Sequence, residues 1–296
     1  MAVIEGEPMT QQIVQGAAAT LSITVYADGV LADPGVTTVT IARLDGSAVA
    51  TDAATTGTGA AAREYALTAA ETAALDVLAV TWQTANHGVL RQVVEIVGGV
   101  LFTIRQARAH DSAALASNTA YTTADIEQAR DRITDDFARI CGVSFVPRLR
   151  RVVVDGATEL LLPDPRVSAV RSIEALDDDG VTWAVEPEAA RVVGGGRVTR
   201  PGRAFSRGAG RYRVIYEHGW DVVPEPIRLA ALTVLRYTLV PDNVGQRTTS
   251  LTNEFGSTAF ATAGRLFNSL SAYPHYGIPL VDTTLGRYTE RVPAVA

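Results

Sequence analysis

Apolar and polar positions alternate in short runs along the first hundred residues, as is typical of β-strands. Leu21 and Ile23 point one way in "ATLSITVYADG", and "GVTTVTIARLDG" repeats the two-residue spacing. Asp45 and Gly46 form a hairpin turn signal directly after the second run. Several such strands separated by turns, without a helical pattern of useful length, predict a small β-sandwich over residues 1–98.

The pattern becomes helical after residue 98. In "TTADIEQARDRITDDFARICG" the side chains of Ile126 and Ile133 fall on one face at steps of three and four. A Thr-x-x-Asp capping box opens this stretch, and Gly142 follows it where a left-handed cap belongs. The sequence therefore predicts a helix at about 123–141, preceded by a shorter one at about 104–116.

Strand-like runs return at about 150–217, and a proline-initiated helix follows at about 224–240. This last helix is apolar around most of its circumference, yet two arginines interrupt it and it is too short to span a membrane. A protein partner that covers one side explains this polarity better. The residues expected at a subunit interface are Ile227, Leu229, Leu232, Val234, Leu235 and Leu239.

Residues 245–296 are rich in Gly, Ser, Thr and Asn and show little continuous periodicity. Apart from a short helix at about 258–270, we expect an extended tail that is ordered by a partner, because its apolar surface offsets little of the ordering cost. The alternative is a tail packed against its own domain. The expected binding anchors are Phe267, Tyr273, Tyr276, Ile278, Leu280, Leu285 and Tyr288. The predicted fold class is thus α+β multidomain: a β-sandwich, a helical domain at 99–244 with an inserted small β subdomain, and the tail.

Charge divides the chain and removes several kinds of chemistry. The total net charge is −6, but residues 1–98 hold three arginines against ten acids, whereas the remainder is nearly neutral. The sequence contains no lysine, which excludes a lysine Schiff base and a P-loop. The single cysteine, Cys141, excludes an internal disulfide. The four histidines have no metal-ligand spacing, and His218 fits a structural turn residue better than a base or ligand. We expect no enzyme activity, metal or cofactor.

Seven arginines and no acid lie between Arg191 and Arg213. Such a loop can follow DNA phosphates, where each contact adds salt-dependent affinity. It can equally be a solvated hairpin, or one that pairs with acids of a neighbouring subunit. The arginines expected to serve one of these purposes are Arg197, Arg200, Arg203, Arg207 and Arg211.

Four stretches, in order, carry a resemblance to a known family. They are "FARICGVSFVPR", "LLLPDPRVSAVRSI", "YRVIYEHGWDVVPEPIRLAALTVLRYTL" and "YGIPLVDTTLGRY". With them, residues 99–296 resemble the head-tail connector (adaptor) proteins of long-tailed bacteriophages. Residues 1–98 lie outside this resemblance and are similar in pattern to immunoglobulin-like modules.

The resemblance implies a virion structural protein, made in the host bacterial cytoplasm and located at the head-tail neck. Its expected partners are copies of itself in a ring, usually of twelve, the portal protein, the next neck protein, and double-stranded DNA that passes through the channel; no membrane contact is expected. A different possibility is a surface- or carbohydrate-binding virion module that uses the β-sandwich, with the helical part as an oligomerisation base.

Overall fold

A computed structural model describes residues 11–177, 180–186, 190–240, 250–253, 256–259 and 275–289. The fold is mixed α+β, and strands outnumber helices in these ranges. The chain divides into two compact units. Unit 1 contains Met1–Gly99 and Pro147–Gly219, and unit 2 contains Val100–Val146 and Trp220–Ala296.

The first segment of unit 1 forms two main sheets. Its strands are β1 (Gln11–Val14), β2 (Ala19–Thr24), β3 (Tyr26–Ala27), β4 (Val30–Leu31), β5 (Thr37–Ala42), β6 (Ala48–Ala54), β7 (Thr56–Gly57), β8 (Ala62–Leu67), β9 (Asp76–Thr84) and β10 (Gly88–Val97). One sheet has the order β1-β10-β9-β5-β6, the other has the order β2-β8-β7, and β3 and β4 pair as a separate hairpin. Strand β1 runs parallel to β10, while the other pairings are antiparallel.

These two sheets share one apolar core. Alternate residues of β9 turn inward, so that Leu78, Val80 and Trp82 are almost completely buried. Leu21 of β2 and Ile96 of β10 belong to the same core cluster. Because strands from both sheets contribute to one core, the predicted layering of two sheets is present in residues 11–97.

The second segment of unit 1 forms two further small sheets. Its strands are β11 (Arg148–Gly156), β12 (Leu160–Leu161), β13 (Val167–Leu176), β14 (Trp183–Val185), β15 (Arg191–Gly194), β16 (Arg197–Thr199) and β17 (Gly208–His218). They are ordered β11-β17-β13-β14 and β12-β16-β15. Leu160, Val198, Tyr212, Val214 and Tyr216 lie in their common core.

Unit 2 contains the helices of the described chain. These are α1 (Ile104–Ala109), α2 (Thr123–Cys141), α3 (Glu225–Leu239) and α4 (Pro279–Tyr288). Helices α2, α3 and α4 all contact one another, and α1 contacts α2. The sequence predicted α2 with its capping box at Thr122 and its left-handed cap at Gly142, which has a φ of 68°. A short hairpin, β18 (Ser250–Asn253) with β19 (Gly256–Ala259), completes the described elements.

Two local predictions were wrong, and a third lies mainly outside the described residues. Helix α1 ends at Ala109 rather than near 116, because the three residues from Asp111 to Ala113 all have positive φ, which a right-handed helix cannot contain. Of the helix expected at 258–270, residues 258 and 259 lie in β19, and residues 260–270 lie outside the described ones. The tail is not extended throughout, since residues 279–288 form α4.

The division into two units also differs in one respect from the predicted domains. The first segment of unit 1 ends at Gly99, one residue from the predicted boundary. The β insertion, however, groups with residues 1–99 rather than with the helices. Arg148 forms an ion pair with Glu95 of β10 at 3.3 Å, and Arg151 donates to the Leu44 carbonyl at 2.8 Å, which explains this grouping.

Candidate assembly surfaces

The ends of helix α3 carry residues that favour a helix start and a helix end. Pro224 caps its N-terminus and Pro226 occupies the first turn, where no intrahelical N–H is needed. Glu225 in the first turn and Arg236 in the last have the signs that favour the helix dipole. These local features stabilise the helix, which presents its side chains on well-defined faces.

One face of α3 is apolar and covered, and the opposite face carries two exposed apolar side chains among polar ones. Ile227 and Leu235 are completely buried, where α3 packs against α2 and α4. On the other side, Leu229 is 46% exposed and Tyr237, two turns later, is 36% exposed. Val222, just before the helix, is 74% exposed. We call Leu229 and Tyr237, with Thr233 between them and Val222 before the helix, the exposed stripe of α3.

This geometry corrects the interface predicted for α3. Four of the six proposed residues are buried by the fold of the single chain: Ile227, Leu232, Val234 and Leu235. Leu239 is half-buried, and only Leu229 belongs to the exposed stripe. Uniform apolarity around the helical wheel did not indicate which face α2 and α4 would cover. Val222 and Tyr237 were therefore not among the predicted interface residues.

Part of the proposed binding tail lies in unit 2's own core. Leu285 of α4 is fully buried, and its carbonyl accepts a hydrogen bond from the Cys141 thiol at 3.6 Å. Burial raises the pKa of Cys141 to about 11. Leu280, at the start of α4, is 64% exposed, and Ile278 is the N-cap. Phe267 and Tyr273 lie outside the described residues.

Aromatic contacts hold both ends of α4. The Tyr276 ring meets Phe137 of α2 edge to face, with centroids 5.8 Å apart, and its hydroxyl contacts Asp136 at 3.4 Å. Burial, together with Asp136, raises the pKa of Tyr276 above its ordinary range. Tyr288 packs edge to face on Phe145 at 6.0 Å. The alternative of a tail that packs on its own domain therefore describes residues 276–288.

The arginine-rich segment is less available than its composition suggests. The Arg200 side chain is only 1% exposed; it pairs with Glu186 at 3.0 Å and stacks on the Phe205 ring at 4.2 Å. Arg200 is consequently a structural residue, which corrects its prediction as a DNA-facing or neighbour-facing group. Arg197 forms two hydrogen bonds with Glu159, and Arg211 is half-buried. Arg203 and Arg207 are exposed in the turn before β17.

A buried polar cluster surrounds Asp164 in unit 1. Its carboxylate accepts a hydrogen bond from the Tyr216 hydroxyl, pairs with Arg150 at 3.0 Å and lies 3.5 Å from His218 Nδ1. Burial, opposed by Asp164 and reinforced by Arg150, lowers the pKa of His218. These groups are partners of one another, which agrees with His218 as a structural residue. In the described part of the chain, no three His, Cys, Asp or Glu side chains are placed to hold a metal ion.

A cleft of about 320 Å³ lies within unit 1, between the sandwich and the insertion. Its apolar lining includes Val77, Ala79 and Val93 from β9 and β10 and Ile215 from β17. Its charged lining residues are Arg43, Arg151, Arg213, Asp45 and Glu174. No sequence signal pointed to this cleft, because its lining comes from separate segments spread between residues 43 and 215.

The β3–β4 hairpin is a second feature that the sequence analysis missed. Asp28 and Gly29 form its turn with φ values of 52° and 77°, as a two-residue hairpin turn requires. Val30 is 68% exposed and Leu31 is 60% exposed. The Asp-Gly pair between apolar residues was the signal that could have located it.

Comparisons with known proteins leave the family open. No protein-family model matches the chain, and no curated protein sequence matches it. Among solved structures, a chimeric titin Z1Z2-Z1Z2 tandem functionalized with a GRGDS exogenous peptide from fibronectin is similar with 12% identity and a TM-score of 0.27. That match covers 75% of this chain and 86% of the other, and a TM-score of this size does not establish a shared fold. No helix in the described ranges is long and apolar enough to cross a membrane.

Proposed function

We propose that this chain is a virion structural protein, a head-to-tail adaptor that forms a ring on the portal vertex. The ring extends the DNA channel and offers a docking surface to the next neck protein. The four family-like stretches of residues 99–296 motivate the proposal, and residues 1–98 are an added immunoglobulin-like module within it. The function is assembly by contact, without bond making or breaking.

The observation that carries the proposal is the two-sided polarity of α3. One face forms the core of unit 2, while Val222, Leu229 and Tyr237 remain exposed on the other. Large apolar side chains exposed on one face favour an interaction surface there, and obligate subunit interfaces resemble a core cut in half. A neighbouring copy that covers this stripe would complete the burial of α3, as a closed ring requires of every subunit.

The proposal also limits which groups can face DNA. Of the five arginines first considered, Arg203 and Arg207 are exposed, whereas Arg200 is buried and Arg197 pairs with Glu159. Channel DNA therefore meets at most a small part of the basic segment. A duplex passing through a ring needs no stronger contact than that.

The test is attachment of the full chain to DNA-filled heads that lack it. Leu229→Asp would place a charge in the subunit contact, so we expect loss of ring formation and of head attachment while the melting temperature stays within a few degrees. Val193→Asp is the matched control, because Val193 is 54% exposed and belongs to β15 of unit 1 rather than to α3. Normal attachment of Leu229→Asp would refute the α3 interface. Immunolabelling of virions that locates the chain away from the neck would refute the adaptor proposal and favour the surface-binding alternative.

A further inference from the structure

The connection from α1 to α2 contains a backbone conformation that residues other than glycine rarely adopt. Asp111, Ser112 and Ala113 have φ values of 48°, 55° and 62°, so all three lie in the left-handed region. A side chain there crowds the backbone carbonyl, a cost that only glycine avoids. We call residues 111–113 the left-handed turn, and all three of them are exposed.

The local sequence favours a different conformation for this turn. The helical pattern of α1 continues to about residue 116, and alanine, the best helix former, occupies positions 113, 114 and 116. The left-handed turn therefore forms against the preference of its own residues, so contacts with other parts of unit 2 have to hold it. Strained backbone of this kind is concentrated at binding sites and switch regions.

Contacts at both of its ends hold the left-handed turn. Asp111 forms an ion pair with Arg236 in the last turn of α3. After the turn, Leu115 is buried, and its carbonyl accepts a hydrogen bond from Arg108 of α1 at 3.1 Å. The Asp111 side chain is 48% exposed, and ion pairs with so much exposure contribute little to stability. The single chain thus holds the start of the turn only weakly.

Arg236 also belongs to the face of α3 that carries the exposed stripe. It follows Leu229 by seven residues, almost two full helical turns, so the two side chains lie on the same face. Its guanidinium carbon is 5.4 Å from the centroid of the Tyr237 ring. One side chain therefore contacts both the left-handed turn and the exposed stripe. A neighbouring copy that covers the stripe at Arg236 reaches the turn as well.

We propose that the left-handed turn is a conformational switch, which closes when a neighbouring copy covers the exposed stripe of α3, with Arg236 as the link. The inference rests on the proposed function for the neighbour and adds how its binding is regulated. The neighbour contacts the turn in its left-handed form, so docking selects that form, and the cost of forming it lowers the affinity of the free chain. By the same linkage, a substitution that disfavours the left-handed form weakens assembly.

Substitutions of Ala113 test this coupling in the full chain. Valine is β-branched and strongly disfavours positive φ, whereas asparagine adds at least as many atoms but tolerates it. The readout is the chain concentration that gives half-maximal attachment to DNA-filled heads lacking the protein, measured well below the melting temperature. We expect Ala113→Val to raise this concentration about fivefold or more, and Ala113→Asn to change it less than about twofold. If both variants raise it equally, added bulk explains the effect and the proposal is overturned.

Ala116 is the matched control position, because it is an exposed alanine of the same connection and does not have positive φ. Ala116→Val should therefore attach like the wild-type chain. If Ala113→Val and Ala116→Val shift the half-maximal concentration by the same factor, the left-handed turn is not coupled to assembly.

Asp111→Asn tests the link to α3, because asparagine tolerates positive φ but lacks the charge that pairs with Arg236. We expect the half-maximal concentration to rise about fivefold, as for Ala113→Val. An unchanged concentration would show that Arg236 does not connect the turn to the stripe, which overturns the proposal.

The outcomes separate this switch from the adaptor proposal. If the wild-type chain attaches to heads, Leu229→Asp does not, and Ala113→Val behaves like Ala116→Val, the switch is wrong and the α3 contact stands. If the wild-type chain does not attach to heads at any concentration, the adaptor proposal is refuted, and the switch that rests on it is refuted with it.

Discussion

Replacement of Leu285 in α4 by alanine measures how much the packing of this helix contributes to the stability of unit 2. Leu285→Ala removes a side chain that has no exposed surface, at the contact of α4 with α2 and α3. Such a change costs the transfer free energy of the lost methyl groups plus that of the cavity, about 3 kcal/mol together. For a domain of this size the melting temperature should fall by roughly 10 °C.

The assay is thermal unfolding of the full chain, followed by circular dichroism at 222 nm, because every described helix lies in unit 2. Leu280→Ala is the matched control: the same substitution in the same helix, at a side chain that is 64% exposed. We expect it to change the free energy of unfolding by less than about 0.5 kcal/mol. If the two variants melt within about 2 °C of each other, which corresponds to an effect of only ~0.5 kcal/mol, α4 does not pack as described.

Three further outcomes follow from single contacts. Arg200→Ala should lower the free energy of unfolding by about 1–3 kcal/mol, because it leaves Glu186 without this partner in a largely buried site. The exposed Arg207→Ala should leave the midpoint of chemical denaturation nearly unchanged. Because the pKa of His218 is lowered from its ordinary value of 6.5, the unfolded state binds the proton first as the pH falls. The contribution of His218 to the free energy of unfolding is therefore constant above about pH 7.5 and decreases below about pH 6.5. His218→Asn should remove that decrease from pH-dependent melting curves. Cys141 should resist a thiol reagent at about pH 8 in the folded chain and react on unfolding; rapid labelling under native conditions would contradict its burial.

The sequence predicted the bounds of a helix correctly where neighbouring residues determine its ends. The capping box at Thr122 and the left-handed Gly142 are properties of a few neighbouring residues, so α2 was predicted with its observed bounds. In α1, the left-handed turn from Asp111 to Ala113 is made of ordinary residues without a characteristic signal. The predicted helix therefore ran past Ala109.

Helix α4 was missed because it depends on its surroundings. Its buried side chains, Val281 and Leu285, are one turn apart, and Gly286 lowers its intrinsic helix propensity. A segment of ten residues is marginal as an isolated helix in water. The aromatic contacts of Tyr276 with Phe137 and of Tyr288 with Phe145 link residues more than a hundred positions apart, which no local pattern reveals.

Alternation, caps and turn pairs depend on a few neighbouring residues, so composition and pattern alone predicted most of the strand-rich segments and the two long helices. Whether an apolar or charged side chain is covered depends on segments distant in sequence. Only the assembled units decided that Leu235 is core while Leu229 is exposed, and that Arg200 is buried while Arg207 is not. The physical reason is that burial is a property of the packed surroundings, whereas helix and strand periodicity is a property of the backbone.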